Sequence, residues 1–215
     1  MIKPFLTALA AAGLLAFGAQ AQTLRWASQG DLQTADPHSQ NESMTNMMNG
    51  QVYEKLVKRG KDLSIGPGLA TEWSNPDPLT WRFKLRPKVK FHDGTPFTAD
   101  DVVFSFNAYA NPAVASLYAS KLKDVVGYDE FQAGKATSLA GVKKIDDRTV
   151  RVELKAKSPL WVDLQQISIS ILPNHILGKV PAAELKGHPY WKNMVGTGPF
   201  KMTKFVDDQY IEGEA

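Results

Sequence analysis

Residues 81–91 alternate between apolar and cationic side chains with a period of two. The apolar positions are Trp81, Phe83, Leu85, Pro87, Val89 and Phe91, and between them stand Arg82, Lys84, Arg86, Lys88 and Lys90. Because successive side chains of a strand point to opposite faces, this pattern predicts a strand with one buried aromatic face and one solvated cationic face. Proline cannot donate to a sheet ladder, so Pro87 is predicted either to divide the run into two strand pieces or to mark an edge strand, whose lysines discourage stray pairing.

A capped helix is predicted directly after this strand. Residues 92–96, HDGTP, are typical of a tight turn. Thr98 then has the character of an N-cap, and Asp100 and Asp101 fall in the first helical turn, where they complement the helix dipole. One apolar face at helical spacing is formed by Ala99, Val102, Val103, Phe106 and Ala110. The pattern therefore predicts a unit of strand, turn and helix over residues 81–110.

The remaining patterns predict shorter elements. Strands are expected at Thr23–Ser28, at 142–145 and 149–154 as a hairpin, and at Phe200–Phe205, and loops at 29–41, 66–68 and 72–78. Helices are expected at 160–166 and 181–186. A further helix is expected to begin after Ser43 as its N-cap and to run to about Val57, before Gly60. In this last helix a buried stripe is predicted at Met44, Met47, Met48, Gln51, Val52 and Leu56. These methionines could form either part of the core or a promiscuous binding surface, and at helical spacing the core is the favoured interpretation. No terminating element is expected in residues 210–215.

Residues 1–21 have the pattern of a cleavable signal peptide. Lys3 precedes an apolar run over residues 5–17, and Ala19-Gln20-Ala21 supplies the small residues that signal peptidase requires. The alternative is a membrane anchor, but the run is shorter than the roughly 20 residues that a bilayer core needs. We therefore expect export, with cleavage before Gln22.

Composition narrows the class of protein further. The chain has 215 residues, a net charge of +3 and no cysteine. Its length suits one sizeable domain or two small ones. Without cysteine there is no disulfide, thiolate nucleophile or iron–sulfur ligand, and no lipid anchor on a first mature cysteine, so the exported protein is expected to be free in its compartment. The small net charge argues against a nucleic-acid partner, although binding of nucleic acid or anionic lipid by the cationic strand face stays an alternative.

The sequence contains no recognisable catalytic or metal-binding motif. Its four histidines, at positions 38, 92, 175 and 188, are not spaced as zinc ligands on one helix. His92 and Asp93 are adjacent in a turn and point apart, and no serine lies in a G-x-S-x-G elbow. Gly196-Thr197-Gly198 is followed by a predicted strand where a phosphate loop would open a helix. We therefore predict neither an enzyme nor a cofactor.

Three segments together resemble a known family. They are LATEW at 69–73, LTWRFKLRPKVKFHDGTPFTADDVVFSF at 79–106, and VGTGPF at 195–200, supported by the hairpin at 142–154. The long second segment is similar to the signature of the extracellular solute-binding proteins, family 5, the peptide, nickel and opine receptors of ABC importers. The resemblance extends over residues 23–206.

The resemblance implies an α/β fold of the periplasmic-binding-protein type, type II, in its peptide-binding subclass. Family members have two lobes that close on a ligand, and they are normally more than twice this length. We therefore expect residues 22–215 to form the first lobe only, with a mixed sheet, flanking helices and a subdomain at about 50–165, and the second lobe to be absent from this chain.

The resemblance also implies a function and a ligand site. The expected function is capture of a peptide or other small solute in the periplasm for an inner-membrane ABC permease and its ATPase, by a monomer without a cofactor. The expected ligand-side loop is Ser28, Gln29, Gly30 and Asp31, with Asn46 beside it; an ordinary surface loop is the equal alternative. A secreted hydrolase whose catalytic residues lie beyond residue 215 is the alternative function. The ligand itself, whether peptide, nickel complex, opine, glutathione, haem or sugar, is not predicted.

Overall fold

The largest sheet is a four-stranded antiparallel sheet formed by strands between residues 70 and 153. The computed structural model describes residues 23–25, 27–28, 30, 32–162, 168–207 and 209–215. The sheet has the order β3-β4-β6-β5, formed by β3 (Ala70–Asp77), β4 (Thr80–Leu85), β5 (Val142–Asp146) and β6 (Thr149–Glu153). The predicted hairpin is confirmed as the antiparallel pair β5 and β6.

The alternation predicted for the first strand piece is confirmed in β4. Trp81, Phe83 and Leu85 are buried, and Arg82 and Lys84 between them are exposed. The prediction of an edge strand is wrong, because β4 pairs with β3 on one side and β6 on the other. Beyond Pro87 the backbone of Lys88 adopts a φ of 59°. Such a left-handed residue interrupts an extended chain, so only an isolated bridge between Lys90 and Pro96 follows.

The predicted capped helix is confirmed as α2, Ala99–Ala110, which packs on the sheet. Thr98 and Asp101 form a capping box, in which the Asp101 carboxylate accepts the Thr98 backbone N–H at 2.8 Å. The core between α2 and the sheet includes Phe83, Phe106 and Trp161, all fully buried. Trp161 and Val162 are helical, and most of the helix predicted over 160–166 lies outside the described residues.

The helix before the sheet, α1, is shorter than predicted. It runs over Ser43–Val52, and Glu42 rather than Ser43 is its N-cap, accepting the Thr45 backbone N–H at 2.6 Å. It ends at Val52, well before Gly60, because the carbonyls of Gln51 and Val52 accept the backbone N–H groups of Phe200 and Gly198. A longer helix would need those carbonyls for its own bonds.

The predicted methionine stripe is wrong for most of its members. The buried residues of α1 are Thr45, Asn49 and Val52, spaced by four and three residues, whereas Met47 is 43% exposed and Met44 is partly exposed. Met48 packs partly buried against a second core cluster. A mostly polar face of α1 is therefore turned inward, a feature that hydrophobic spacing does not reveal.

Three other expectations differ from the structure. Residues 23–25 and 27–28 are in no strand, and Trp26 lies outside the described residues; no strand pairs with this segment to satisfy its backbone groups. Segment 72–78 belongs to β3, whose edge position tolerates a proline and whose pairing is irregular between residues 74 and 77. Segment 66–68 contributes to a small hairpin of β1 (Val57–Arg59) and β2 (Ile65–Pro67).

The second half of the chain surrounds the second core cluster. Short helices occur at Asn174–Leu177 and Ala182–Leu185, as expected for residues 181–186. The predicted strand at 200–205 is confirmed as β7, Lys201–Val206, and it pairs with β8, Tyr210–Glu214, in a segment where no element was expected. The cluster joins Leu32, Tyr53, Leu172 and Trp191 to these elements. Among the described residues no helix is long and apolar enough to cross a bilayer.

Candidate functional site

A polar cavity of about 200 Å³ lies beside the inward face of α1. It is lined by Pro37, Asn41, Asn46, Asn49, Gly50, Lys55, Tyr109, Tyr118, Ser168 and Ser170. These residues come from the loop before α1, from α1 and the segment that follows it, from the end of α2 and the segment after it, and from the segment that begins at Ser168. Its lining is rich in amide and hydroxyl groups, and Lys55 is its one charged residue among those that the structure describes.

The hydroxyl of Tyr118 joins the loop before α1 to the helix. Its oxygen lies 2.7 Å from Asn41 Oδ1, 3.1 Å from Asn46 Oδ1 and 3.3 Å from the Gln40 carbonyl oxygen. Asn46 Nδ2 donates to Asn41 Oδ1 at 3.2 Å. A single phenol proton can serve only one of three acceptors at a time. The other oxygens can therefore accept hydrogen bonds from a ligand.

The back of the cavity rests on a buried aromatic and ionic cluster. Tyr109 accepts the Ser170 backbone N–H at 3.3 Å, and its ring centroid lies 4.3 Å from that of His38. His38 Nδ1 lies 2.8 Å from Asp36 Oδ1, with both residues almost fully buried. Burial acts to raise the pKa of Asp36, but its hydrogen bonds with His38 and Ser39 outweigh this and leave the pKa below its usual value. The cluster gives the cavity a rigid wall.

The segment that carries Ser168 and Ser170 is fixed by α2. Ser105 Oγ accepts the Leu172 backbone N–H at 2.8 Å and donates to the Asp101 carbonyl. Asp101 Oδ1 accepts the Asn174 backbone N–H at 3.0 Å. Burial raises the pKa of Asp101, although its hydrogen bonds oppose the shift. The first turns of α2 therefore hold the far side of the cavity.

The floor of the cavity contains two side chains without partners. Asn49 is 4% exposed, and neither Nδ2 nor Oδ1 has a hydrogen-bond partner among the described residues. Lys55 Nζ makes no ion pair within the same described ranges, and burial lowers its pKa. Unpaired buried polar groups are uncommon in proteins and often mark a place where something binds.

Of the residues predicted from sequence to bind ligand, Asn46 lines this cavity. Ser28 and Gly30 are exposed and are not part of the cavity lining, and Gln29 and Asp31 lie outside the described residues. Sequence reasoning missed Asn49, Lys55, Tyr109, Tyr118 and the two serines. The one available signal was that Asn46 and Asn49 stand three residues apart, on one face of a helix.

The cationic face of β4 lies at a second, open depression on the outer side of the sheet. Its cations are interspersed with acids: Lys84 Nζ lies 3.5 Å from Glu72 Oε1, and Asp146 also lines the depression. Directly after β4, Arg86 donates to Glu54 at 2.7 Å. This is a mixed, solvated surface. No group of three or more potential metal ligands occurs in the described part of the chain.

Comparison with known proteins decides the family. The model for the bacterial extracellular solute-binding proteins, family 5 Middle, matches residues 64–215. The chain belongs to this family. The resemblance of the three sequence segments is thereby confirmed, and the family is one of solute-binding proteins and not of enzymes.

Family members of known name agree with this. The periplasmic oligopeptide-binding protein OppA of Salmonella typhimurium is 34% identical over 200 residues, which is 90% of this chain and 36% of that protein. A putative ABC transporter peptide-binding protein of Brucella ovis is 37% identical over 139 residues, 64% of this chain and 23% of that protein. The chain thus spans about a third or less of the length of these relatives.

Solved structures of the family confirm the fold. The crystal structure of Haemophilus influenzae OppA in complex with RPPGFSPFR superposes with a TM-score of 0.75 at 32% identity, covering 84% of this chain and 36% of that one. Bacillus subtilis AppA in complex with a nonapeptide gives a TM-score of 0.69 at 29% identity, covering 83% and 33%. The predicted α/β fold of a peptide-type periplasmic binding protein is confirmed. The subdomain boundaries near residues 50 and 165 stay a prediction.

Proposed function

We propose that this chain is part of the periplasmic substrate-binding component of an ABC importer, which captures a peptide or similar small solute. An inner-membrane permease and its ATPase would receive the ligand. Family membership supports this, as do the names of the relatives, which are binding proteins for peptides. The signal peptide predicted at residues 1–21, which lie outside the described residues, would provide the export that a periplasmic location needs. A monomeric state and a lipid-free N-terminus stay predictions.

The cavity beside α1 is the observation that carries the proposal. A peptide backbone presents N–H donors and C=O acceptors, and the cavity offers both kinds of partner. Asn41 and Asn46 share one Tyr118 proton and leave acceptor capacity unused, while Asn49 retains a free donor and a free acceptor. Such a small number of placed polar groups is typical of a site that fixes the orientation of a ligand.

Binding of peptides to the purified protein tests the proposal. The probe is a mixture of alanine tripeptides to pentapeptides, titrated by calorimetry, after native mass spectrometry has shown whether ligand is retained on purification. Tyr118→Phe removes the hydroxyl that joins Asn41 to Asn46, and one hydrogen bond is worth about 1 kcal/mol, or roughly fivefold in Kd. Tyr128→Phe is the matched control, because Tyr128 lies in the distant helix Tyr128–Gln132. Equal affinities of the two variants would contradict the role of this cavity.

The loop predicted from sequence is tested separately. Replacing Gln29 and Asp31 with alanine should weaken binding of the same peptides if this loop lies on the ligand side, and an unchanged affinity would exclude the loop from the binding site.

The alternative of a secreted hydrolase gains no support, since the relatives and structures described above are binding proteins.

A further inference from the structure

Lys55 occupies an unusual position for a lysine. It follows α1, and its backbone carbonyl accepts the Leu69 N–H at 2.8 Å, which fixes the main chain at the base of the cavity. Burial removes water from its ammonium group and lowers its pKa. Lys55 as a whole is partly exposed, but a cation that is withdrawn from water without an anion is unfavourable, and proteins normally pair such a group. Within the described ranges, no carboxylate does so.

Two acids stand next to lining residues in the sequence, Glu54 beside Lys55 and Asp36 beside Pro37, and both are already engaged. Glu54 Oε2 accepts a hydrogen bond from Arg86 at 2.7 Å. Asp36 is held by His38 and by the hydroxyl of Ser39. Among the described residues that line the cavity there is neither aspartate nor glutamate. Within the part of the chain that the structure describes, the positive charge of Lys55 is therefore left for a ligand.

Asn49 supplies an independent indication in the same cavity. Its amide is almost fully buried, and both of its polar atoms lack a partner among the described residues. It lies on α1, six residues before Lys55, and both side chains line the cavity. An ammonium group and an amide N–H can together donate to the two oxygens of one carboxylate.

The size of the cavity indicates what part of a ligand it receives. Sites that enclose a whole drug-sized ligand have volumes of about 300–1,000 Å³. A cavity of about 200 Å³ is below that range and suits a single side chain or chain terminus. It is therefore better described as a subsite than as a complete binding site.

We infer that Lys55 and Asn49 form a carboxylate subsite, so that the protein prefers ligands that carry an acidic group at this point. The inference rests on the proposed peptide-binding function and adds the chemistry of one subsite to it. A glutamate or aspartate side chain and a C-terminal carboxylate present the same group. The preference is expected to require the charge of Lys55.

A charge-neutralisation cycle on the purified protein tests this inference. The probes are alanine tetrapeptides with glutamate or glutamine at each position in turn, each made with a free C-terminus and as the C-terminal amide. Kd is measured by calorimetry for the unaltered protein, for Lys55→Met, and for Lys58→Met as the matched control. Lys58 lies three residues away on β1 and is exposed. Methionine keeps the length of the lysine stem, and circular dichroism establishes that each variant is folded.

The unaltered protein and Lys58→Met should bind the carboxylate form at least tenfold more tightly than its neutral counterpart, and Lys55→Met should lose that ratio. A preference for glutamate over glutamine identifies a side-chain subsite, and a preference for the free C-terminus over the amide identifies a terminal one. If peptides bind but the ratio is the same in Lys55→Met, the carboxylate subsite is wrong and peptide binding stands. If no peptide in the set binds the unaltered protein, both the subsite and the peptide-binding function are overturned.

Discussion

Replacement of Ser105 by alanine tests how α2 holds the wall of the cavity. Ser105 Oγ is the acceptor for the backbone N–H of Leu172, a fully buried residue, at 2.8 Å. Without the hydroxyl this N–H has no partner, which costs about 1–3 kcal/mol. Alanine is the better helix former by up to about 0.7 kcal/mol. The net destabilisation is therefore expected to be about 1–2 kcal/mol.

The assay has a global and a local readout. For a chain of this size, about 1–2 kcal/mol corresponds to a fall in Tm of roughly 2–8 °C. The Leu172 amide should also exchange faster with solvent, by a factor of about 5–30, because its protecting bond is gone. Ser120→Ala, at an exposed position in the short helix Ala119–Leu122, is the control and should change neither quantity. Unchanged protection of Leu172 in Ser105→Ala would refute the reasoning.

Two further predictions concern other contacts around the cavity. Gly196→Ala should destabilise the protein by about 1–3 kcal/mol in urea unfolding, because a Cβ there would lie 1.8 Å from the Val52 carbonyl oxygen. Gly50→Ala has nothing within 4 Å of the new Cβ and should stabilise α1 by about 0.5–1 kcal/mol. Equal effects of the two substitutions would mean that the close packing at Gly196 is wrong. The pKa of Asp36 in the native state is below its usual 3.8, so the charged carboxylate stabilises the native state at pH values above 3.8, and this stabilisation is lost as the pH falls through the native pKa. Asp36→Asn should therefore flatten the fall of the urea unfolding midpoint below about pH 4. A pH profile identical to that of the unaltered protein would contradict this.

Local elements were predictable where one signal decides the structure. The alternation of β4 and the Thr98 N-cap of α2 depend on neighbours within a few residues, and both were confirmed. The edge position of β4 was wrong because strand order depends on where β6 pairs, which is far away in the sequence. Likewise α1 ends at Val52 because residues of segment 196–200 take its last carbonyls, a contact that no local pattern contains.

The candidate site was much less predictable than the fold. Its lining residues are scattered over positions 37–170, and they meet only because α2 anchors the segment after residue 167. Asn49 looked unremarkable in the sequence since a buried polar residue in a helix breaks the hydrophobic pattern that identifies a core. Lys55 gave no signal either, because only the structure shows that the adjacent Glu54 is already paired with Arg86.

The sequence segments that reveal the family serve the cavity indirectly. His92, in the long signature segment, accepts the Gly196 N–H through Nδ1 at 3.2 Å, which leaves the Nε2 proton to donate to the Gly198 carbonyl at 2.9 Å. Gly198 in turn donates to the Val52 carbonyl and so fixes the end of α1, whose inward face carries Asn49. The signature thus places the helix, while residues outside the signature contact the cavity. This separation explains why a family can be recognised with certainty from residues that carry no information about the ligand.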